Sequence, residues 1–325
     1  MARRNNNKLT KVQNVVRFKN DAFVGYHDNM YIDSGLALST VNRKLFSQER
    51  QYFIKNITAN FTPNPLYDRI VFQCSTAGDT WSVQNAWTKA KALHTQMQDL
   101  VLDDMPSIEG KWSEFKVFLD QSHTVATLFA TKVIPIDPDG NYFLAGEWDY
   151  STFVMPQHDV DPATGLPLAA SELTSHLVGD DTVASRGLVK AYAESRATVQ
   201  PNAPAVPTTV EDSFYNLLSD SGSQEPELAA VIIEENDQPP YHPTDYPGGA
   251  TNGPSGQMMV SCVLNEHMPN LNTGPFTAEC GLIHINIQAY LGDVPAIMPE
   301  GTPLRFTIEY EEGNYKGLHA LPMGQ

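Results

Sequence analysis

The sequence predicts a mainly β fold, an antiparallel Greek-key sandwich with one clear helix and long loop insertions. Three observations carry that expectation. Twenty-three prolines and twenty-one glycines are spread along 325 residues, which punctuates the chain into short segments and argues against a helical bundle. The runs between these breaks are rich in β-branched and aromatic residues, and two of them alternate strictly. The connections between runs are very unequal in length, which fits a Greek key better than a meander.

In chain order the strand-like runs are Val12–Phe18, Gln51–Phe61, Arg69–Cys74, Glu114–Leu119, Thr124–Pro135 and Tyr142–Val154, then Leu228–Glu234, Gln257–Leu264, Gly281–Leu291 and Leu304–Tyr310. In LIHINIQA, Leu282, His284, Asn286 and Gln288 oppose Ile283, Ile285 and Ile287. In LRFTIEY, Leu304, Phe306, Ile308 and Tyr310 oppose Arg305, Thr307 and Glu309. Successive side chains of a strand point to opposite faces, so each run has one buried and one polar face. Between the third and fourth runs, Asp79-Thr80 offers an N-cap, and Trp81, Val83, Trp87, Ala90, Leu93, Met97, Leu100 and Val101 recur at helical spacing up to Asp104. This amphipathic helix is expected to lie across the open end of the sheets. Weaker helical patterns run through Ala184–Ala197 and Val210–Leu218.

Residues 156–182, 198–209 and 237–256 are turn-rich connections, longer than a compact domain carries without a surface task. The organisation read from these signals is a basic arm over residues 1–20 and one body over 21–325, with 156–256 a loop-rich insertion able to form a surface subdomain.

No run of eighteen apolar residues occurs, so no helical membrane span is expected. The N-terminal basic residues are not followed by an apolar region, so no secretory signal is expected either. Cys74, Cys262 and Cys280 are odd in number and lack metal-ligand spacing, and read as reduced and mostly buried, as in a protein made in a cytosol.

Catalytic motifs are absent: there is no GxSxG, P-loop, GxGxxG after a strand, HExxH or CxxC. The reading is therefore not an enzyme. His158, Asp159 and Asp161 form an HDxD cluster, Asp137–Asn141 looks like the start of a calcium loop, and Asn265-Glu266-His267 ends a strand. Each reads as a turn or solvated loop before it reads as a metal site; Asp137–Asn141 lacks the ligand spacing and terminal Glu of an EF-hand. No cofactor is expected. Calcium between subunits is the one metal role the composition leaves, with Asp103, Asp104, Asp180 and Asp181 as its contributors.

Charge is sharply divided. Residues 1–20 hold Arg3, Arg4, Lys8, Lys11, Arg17 and Lys19 and no carboxylate, which leaves fifteen of the 21 Lys and Arg against all 38 Asp and Glu beyond that point. Residues 205–325 set Arg305 and Lys316 against sixteen carboxylates. A short basic arm on an acidic body suits a protein that touches a polyanion with one end, by phosphate charge and without sequence readout. The six cations Arg3, Arg4, Lys8, Lys11, Arg17 and Lys19 are the candidate nucleic-acid-binding residues.

The opening MARRNNNK, the string of short strands, the long polar loops and the ending TPLRFTIEYEEGNYKGLHALPMGQ together resemble the capsid proteins of small viruses with circular single-stranded DNA genomes, such as smacoviruses and their unclassified relatives. The resemblance covers architecture over most of the chain and rests on no specific motif. It implies a jelly-roll capsid domain that self-assembles, in many copies, into an icosahedral shell around single-stranded DNA. The basic arm would face the genome inside, and the long loops would face outward, toward neighbouring subunits and a host receptor. The location it implies is the virion, after synthesis in the host cytosol or nucleus. The sequence departs from many such capsids in the sparseness of its arm, which holds six cations where theirs are arginine-dense. The alternative from a different class is a carbohydrate-binding or adhesive β-sandwich module, with Tyr241, Tyr246 and Trp148 as stacking aromatics.

Overall fold

The computed structural model describes residues 11–20, 27–61, 65–126, 132–144, 146–155, 171–197, 256–297 and 304–324. The expectations placed on Arg3, Arg4, Lys8, the HDxD cluster, Val210–Leu218, Leu228–Glu234, Tyr241 and Tyr246 lie outside them.

The chain opens with β1 (Val15–Asn20) and β2 (His27–Asp33), then α1 (Ser34–Asn42), β3 (Arg50–Asn60) and β4 (Arg69–Thr76). A long helical and loop segment follows: α2 (Trp81–Asp104), the single turn α3 (Gln121–Thr124), β5 (Thr152–Met155), β6 (Ser171–His176), β7 (Ser185–Gly187) and α4 (Leu188–Ala197). The last third returns to strands: β8 (Gln257–Asn265), β9 (Asn270–Asn272), β10 (Phe276–Ala278), β11 (Leu282–Leu291), β12 (Val294–Pro295), β13 (Leu304–Tyr310), β14 (Glu312–Tyr315) and β15 (Ala320–Pro322).

The fold is mainly β and its two large sheets are antiparallel throughout. In the first, β13 lies between β1 and β3, and β9 and β10 pair with β3; β15 adds a short pairing at the start of β3. In the second, the order is β2-β11-β4-β8, with β12 folding back on the end of β11. Successive long strands therefore alternate between sheets: β1, β3, β9–β10 and β13 in one, β2, β4, β8 and β11 in the other. A small third sheet joins β5, β6 and β7.

The alternation read from the sequence explains the core. Ile283, Ile285 and Ile287 of β11 and Leu304, Phe306, Ile308 and Tyr310 of β13 turn inward with Phe72, Tyr52, Met30 and Phe18. Phe18 and Phe306 stack at 5.4 Å between ring centroids and tie the edge strand to its neighbour. The segment 132–136 closes one side of the sandwich. The Ile136 N–H donates to Arg17 O of β1 (2.9 Å) and the Val133 N–H to Tyr31 O of β2 (3.1 Å). Its turn, Asp137–Asn141, is the tight turn that the sequence indicated: Asp137 Oδ1 accepts the Asn141 N–H at 2.9 Å, and Ile136 bridges to Tyr142.

The helix expected over residues 79–104 is α2, capped by the Thr80 hydroxyl, which accepts the Val83 N–H. Its buried face, Val83, Ala86, Trp87, Ala90 and Leu93, belongs to a second core with Phe115, Phe153 and Leu188. That core meets the sandwich through Tyr31, Ala77, Cys280 and Leu282, at the end where β2 and β4 finish and β11 begins. The weaker helical pattern over Ala184–Ala197 becomes α4 from Leu188, and α1 is a further helix that the sequence did not indicate. Glu114–Leu119 lies extended with Phe115, Val117 and Leu119 in the second core and one bridge to β6, and of the described residues of Tyr142–Val154 only β5 is a strand, while Tyr142 bridges to Ile136. Thr124–Pro135 is not a strand in its described residues either. Among the described residues no helix is long and apolar enough to cross a membrane.

The entry into β11 is a left-handed corner. Cys280 has φ 54° and Gly281 φ 66°, and a Cβ on Gly281 would lie 2.8 Å from the Tyr52 ring and 2.9 Å from Ser34 Cβ. Gly281→Ala is therefore expected to cost more than the ~1–3 kcal/mol of backbone strain alone. Gly292→Ala, at φ 62° with nothing within 4 Å, supplies that strain without the clash. Urea midpoints should place Gly281→Ala well below Gly292→Ala, and equal midpoints would remove the clash.

Candidate nucleic-acid interface

The chain from Gln13 onward is fixed to the body. The Gln13 N–H donates to Asn42 Oδ1 (2.8 Å), Asn42 Nδ2 donates back to Gln13 O (3.1 Å), and the Asn14 carbonyl accepts the Tyr310 N–H (2.9 Å). The basic segment is thus anchored at the end of α1 and the end of β13, two residues after Lys11, which is exposed.

In β1, Val16 and Phe18 are fully buried, so Arg17 and Lys19 stand on the outer face of the first sheet. Arg17 is exposed; Lys19 is half-buried, with its ammonium 4.5 Å from the centre of the Tyr142 ring. The register sets Lys19 directly opposite Arg305 of β13, and Arg17 opposite Thr307. Arg305 was visible in the sequence only as one of two cations in the acidic last third and as a member of the polar face of LRFTIEY. Nothing local says that this face meets β1, since the partners lie 286 positions apart. Farther along the same face, Lys55 pairs with Glu309 at 2.5 Å.

The other candidate residues resolve differently. Asp103 and Asp104 are exposed at the end of α2. Asp180 and Asp181 are neutralised within the chain: Lys190 reaches both (3.2 and 3.6 Å), Arg186 reaches Asp181 (3.8 Å), and Asp181 Oδ1 accepts the Gly187 N–H. The structure does not bring the two pairs together. No group of three or more His, Cys, Asp and Glu is placed to hold a metal among the described residues. Asn265 Oδ1 accepts the His267 and Met268 N–H groups, which makes Asn265-Glu266-His267 the turn after β8. Cys74 and Cys280 are buried, and burial pushes both thiols up, away from the thiolate.

Trp148 needs a correction as a stacking aromatic. It is 8% exposed, its indole N–H donates to Asp33 Oδ2 at 2.8 Å, and the Lys116 ammonium lies 4.5 Å over its ring. A side chain committed in this way packs rather than offering a platform to ligand.

One polar cluster escaped sequence reading because its members come from distant segments. Tyr31 of β2 is sandwiched between the rings of His123 (4.5 Å) and His284 (4.7 Å). Its hydroxyl donates to Asp120 Oδ2 at 3.1 Å. His284 Nε2 meets Asn29 Oδ1 (3.0 Å) and its Nδ1 meets Ser75 Oγ (3.1 Å), while His123 Nδ1 accepts the Leu119 N–H (3.1 Å). Burial holds His284 down to about 4 and His123 well below the ordinary histidine range. Burial raises Asp120, and it lowers nearby Lys132. The His284 bonds join β11 to β2 and β4, and the Tyr31–Asp120 bond and Tyr31–His123 stack join β2 to the segment after α2, so the cluster fastens the second core to the second sheet.

No family model, no curated protein and no solved structure matches this chain.

Proposed function

We propose that this chain is the coat subunit of a virus: a jelly-roll protein that self-assembles into an icosahedral shell, with its basic arm against a single-stranded DNA genome. The observation that carries the reading is the strand order. Eight strand positions in chain sequence (β1, β2, β3, β4, β8, β9–β10, β11, β13) alternate between two sheets. Taken in that sequence they stand in the orders 1-8-3-6 and 2-7-4-5, an order that supports the double Greek key expected of a jelly roll. A fold by itself does not fix function. The second support is position: the basic segment enters at β1, the edge strand of one sheet, and is anchored there by Gln13 and Asn14.

The subunit would close into a shell through repeated heterologous contacts with copies of itself. Acidic exteriors would keep finished particles apart, and the net charge of −17 suits that role. Nucleic-acid contact would be electrostatic, the polymer's identity as DNA follows the resemblance to single-stranded DNA virus capsids, and the virion is the location that goes with it. The carbohydrate-binding alternative draws no support from Trp148, which is buried.

Negative-stain electron microscopy of the purified protein, with its absorbance ratio at 260 and 280 nm, tests the reading. Uniform spherical particles are expected, and a monodisperse small species at every salt and pH would overturn it. Removing residues 1–11 deletes Arg3, Arg4, Lys8 and Lys11. Each single-strand phosphate contact contributes ~0.7 to the slope of log K against log salt, so the truncation should flatten that slope by about 3 for a single-stranded oligonucleotide while particles still form. An unchanged slope would take the arm out of binding.

A further inference from the structure

We infer that the folded outer face of β1 and β13, and not the arm alone, binds the phosphodiester backbone of single-stranded nucleic acid, with Arg305 as a contact residue beside Arg17 and Lys19. This rests on the coat-protein reading for its ligand but not for its geometry. The register brings the three cations onto one face of two adjacent strands, Lys19 facing Arg305 and Arg17 on the diagonal. Like charges directly opposite one another in a sheet are destabilising, and cations are scarce in this chain: residues 205–325 contain two. One of those two stands opposite Lys19.

Among the described residues neither Arg17 nor Arg305 has a carboxylate partner. Glu309, on the same face, is taken by Lys55. Asp137 is occupied by its own turn, where donors from Asn141 hold its carboxyl below the ordinary range. That turn also walls the site on one side. A Cβ built on Gly140 would lie 3.5 Å from Arg305 Nη2, and Tyr142 stands beneath the Lys19 ammonium. Two exposed guanidinium groups and a half-buried ammonium form a shallow corner that matches a phosphate backbone. It lies on β1, the strand that the arm feeds, so one polymer strand can run from arm to face without leaving the subunit.

The test uses the full chain and a labelled oligodeoxythymidylate, titrated with salt by fluorescence anisotropy. Arg17→Ala with Arg305→Ala is expected to flatten the salt slope by about 1.4, two phosphates at ~0.7 each, and Arg17→Lys with Arg305→Lys to restore it. Lys111→Ala, which removes an exposed cation elsewhere, should leave the slope within ~0.3 of the parent, well short of one contact. Circular dichroism checks that the double variant stays folded, which is expected because Phe18 and Phe306 beneath the face are untouched. An unchanged slope in the double alanine variant, or an equal drop in Lys111→Ala, overturns the inference. Microscopy of the same samples separates it from the coat-protein reading. Particles with an unchanged slope sink the face alone, whereas a flattened slope in a chain that never assembles sinks the shell and keeps the face.

Discussion

Asp33→Ala is expected to lower stability by about 3–5 kcal/mol, enough to leave much of a domain of ordinary stability unfolded. Asp33 ends β2, is 3% exposed, and takes three donors from three different segments. Oδ1 accepts the Leu36 N–H (3.1 Å) as the N-cap of α1, and Oδ2 accepts Gln48 Nε2 (2.9 Å) and Trp148 Nε1 (2.8 Å). Burial pushes its carboxyl above the ordinary range, while those donors and the Lys132 charge pull it back. Alanine leaves the Leu36 and Trp148 N–H groups in a dry site with no acceptor, at about 1–3 kcal/mol each, and removes a cap worth about 1 kcal/mol. These terms overlap, so they bound the loss rather than add to it. Asp33→Asn keeps one acceptor oxygen but sets an amide against donors, and should fall between parent and alanine. Urea unfolding followed by tryptophan fluorescence reads the series; a loss under ~1 kcal/mol for alanine would show that the three segments do not depend on this carboxylate.

Asp33 also marks where sequence reading stopped. The two strictly alternating strands were legible almost to the residue: Leu304–Tyr310 is β13 and Gly281–Leu291 became β11, while Gln51–Phe61, without strict alternation, became β3. Their inward faces are continuous and apolar, so local pattern and tertiary burial agree. β2 and α1 were not legible. HDNMYID has an outward face of Asn29, Tyr31 and Asp33 whose worth lies in distant partners, Asp120, His284 and Trp148. SGLALSTVN is short, with Gly35 and Thr40 among its helical positions, and is held by the Asp33 cap and by burial of Leu36 and Leu38.

The opposite error has the same cause. Glu114–Leu119 has the pattern of a strand, and Phe115, Val117 and Leu119 are indeed buried. Yet its pairing with β6 is a single parallel bridge, Phe118 with His176, and its other N–H groups go to side chains such as Ser151 and Gln48 rather than to a continued ladder. Periodicity reports which side chains are buried; it does not report whether a partner strand exists. The candidate site divides along the same line. Charge counting found Arg17 and Lys19, because an uncompensated cation run is a local signal. Arg305 became a member only through the pairing of β1 with β13.

The largest pH effect should come from the His123–Tyr31–His284 stack. Unfolded, the His284 imidazole protonates near its ordinary 6.5; folded, near 4. Between those values the unfolded chain binds the extra proton, so the contribution of His284 is complete above pH ~6.5 and is lost as pH falls to ~4. Two and a half pKa units amount to about 3 kcal/mol. His123 adds in the same direction, since protonating Nδ1 removes the acceptor of the Leu119 N–H beside Lys132. Glu194 and Glu279 act oppositely: burial raises both to about 7, so they favour the fold as pH falls through the same window. Total stability against pH therefore blends the two signs, and a variant comparison isolates the histidine. His284→Gln should be less stable than the parent at pH 7.5, with the gap shrinking by about 3 kcal/mol at pH 4, because the carboxylates are common to both proteins and cancel. Urea unfolding at the two pH values measures it. A gap that stays constant would mean that His284 titrates normally in the fold and that the stack does not hold it neutral. Since this stack fastens the second core to the sheet, acid should loosen the α2 side first, and amide exchange at low pH should show α2 opening before β11 or β13.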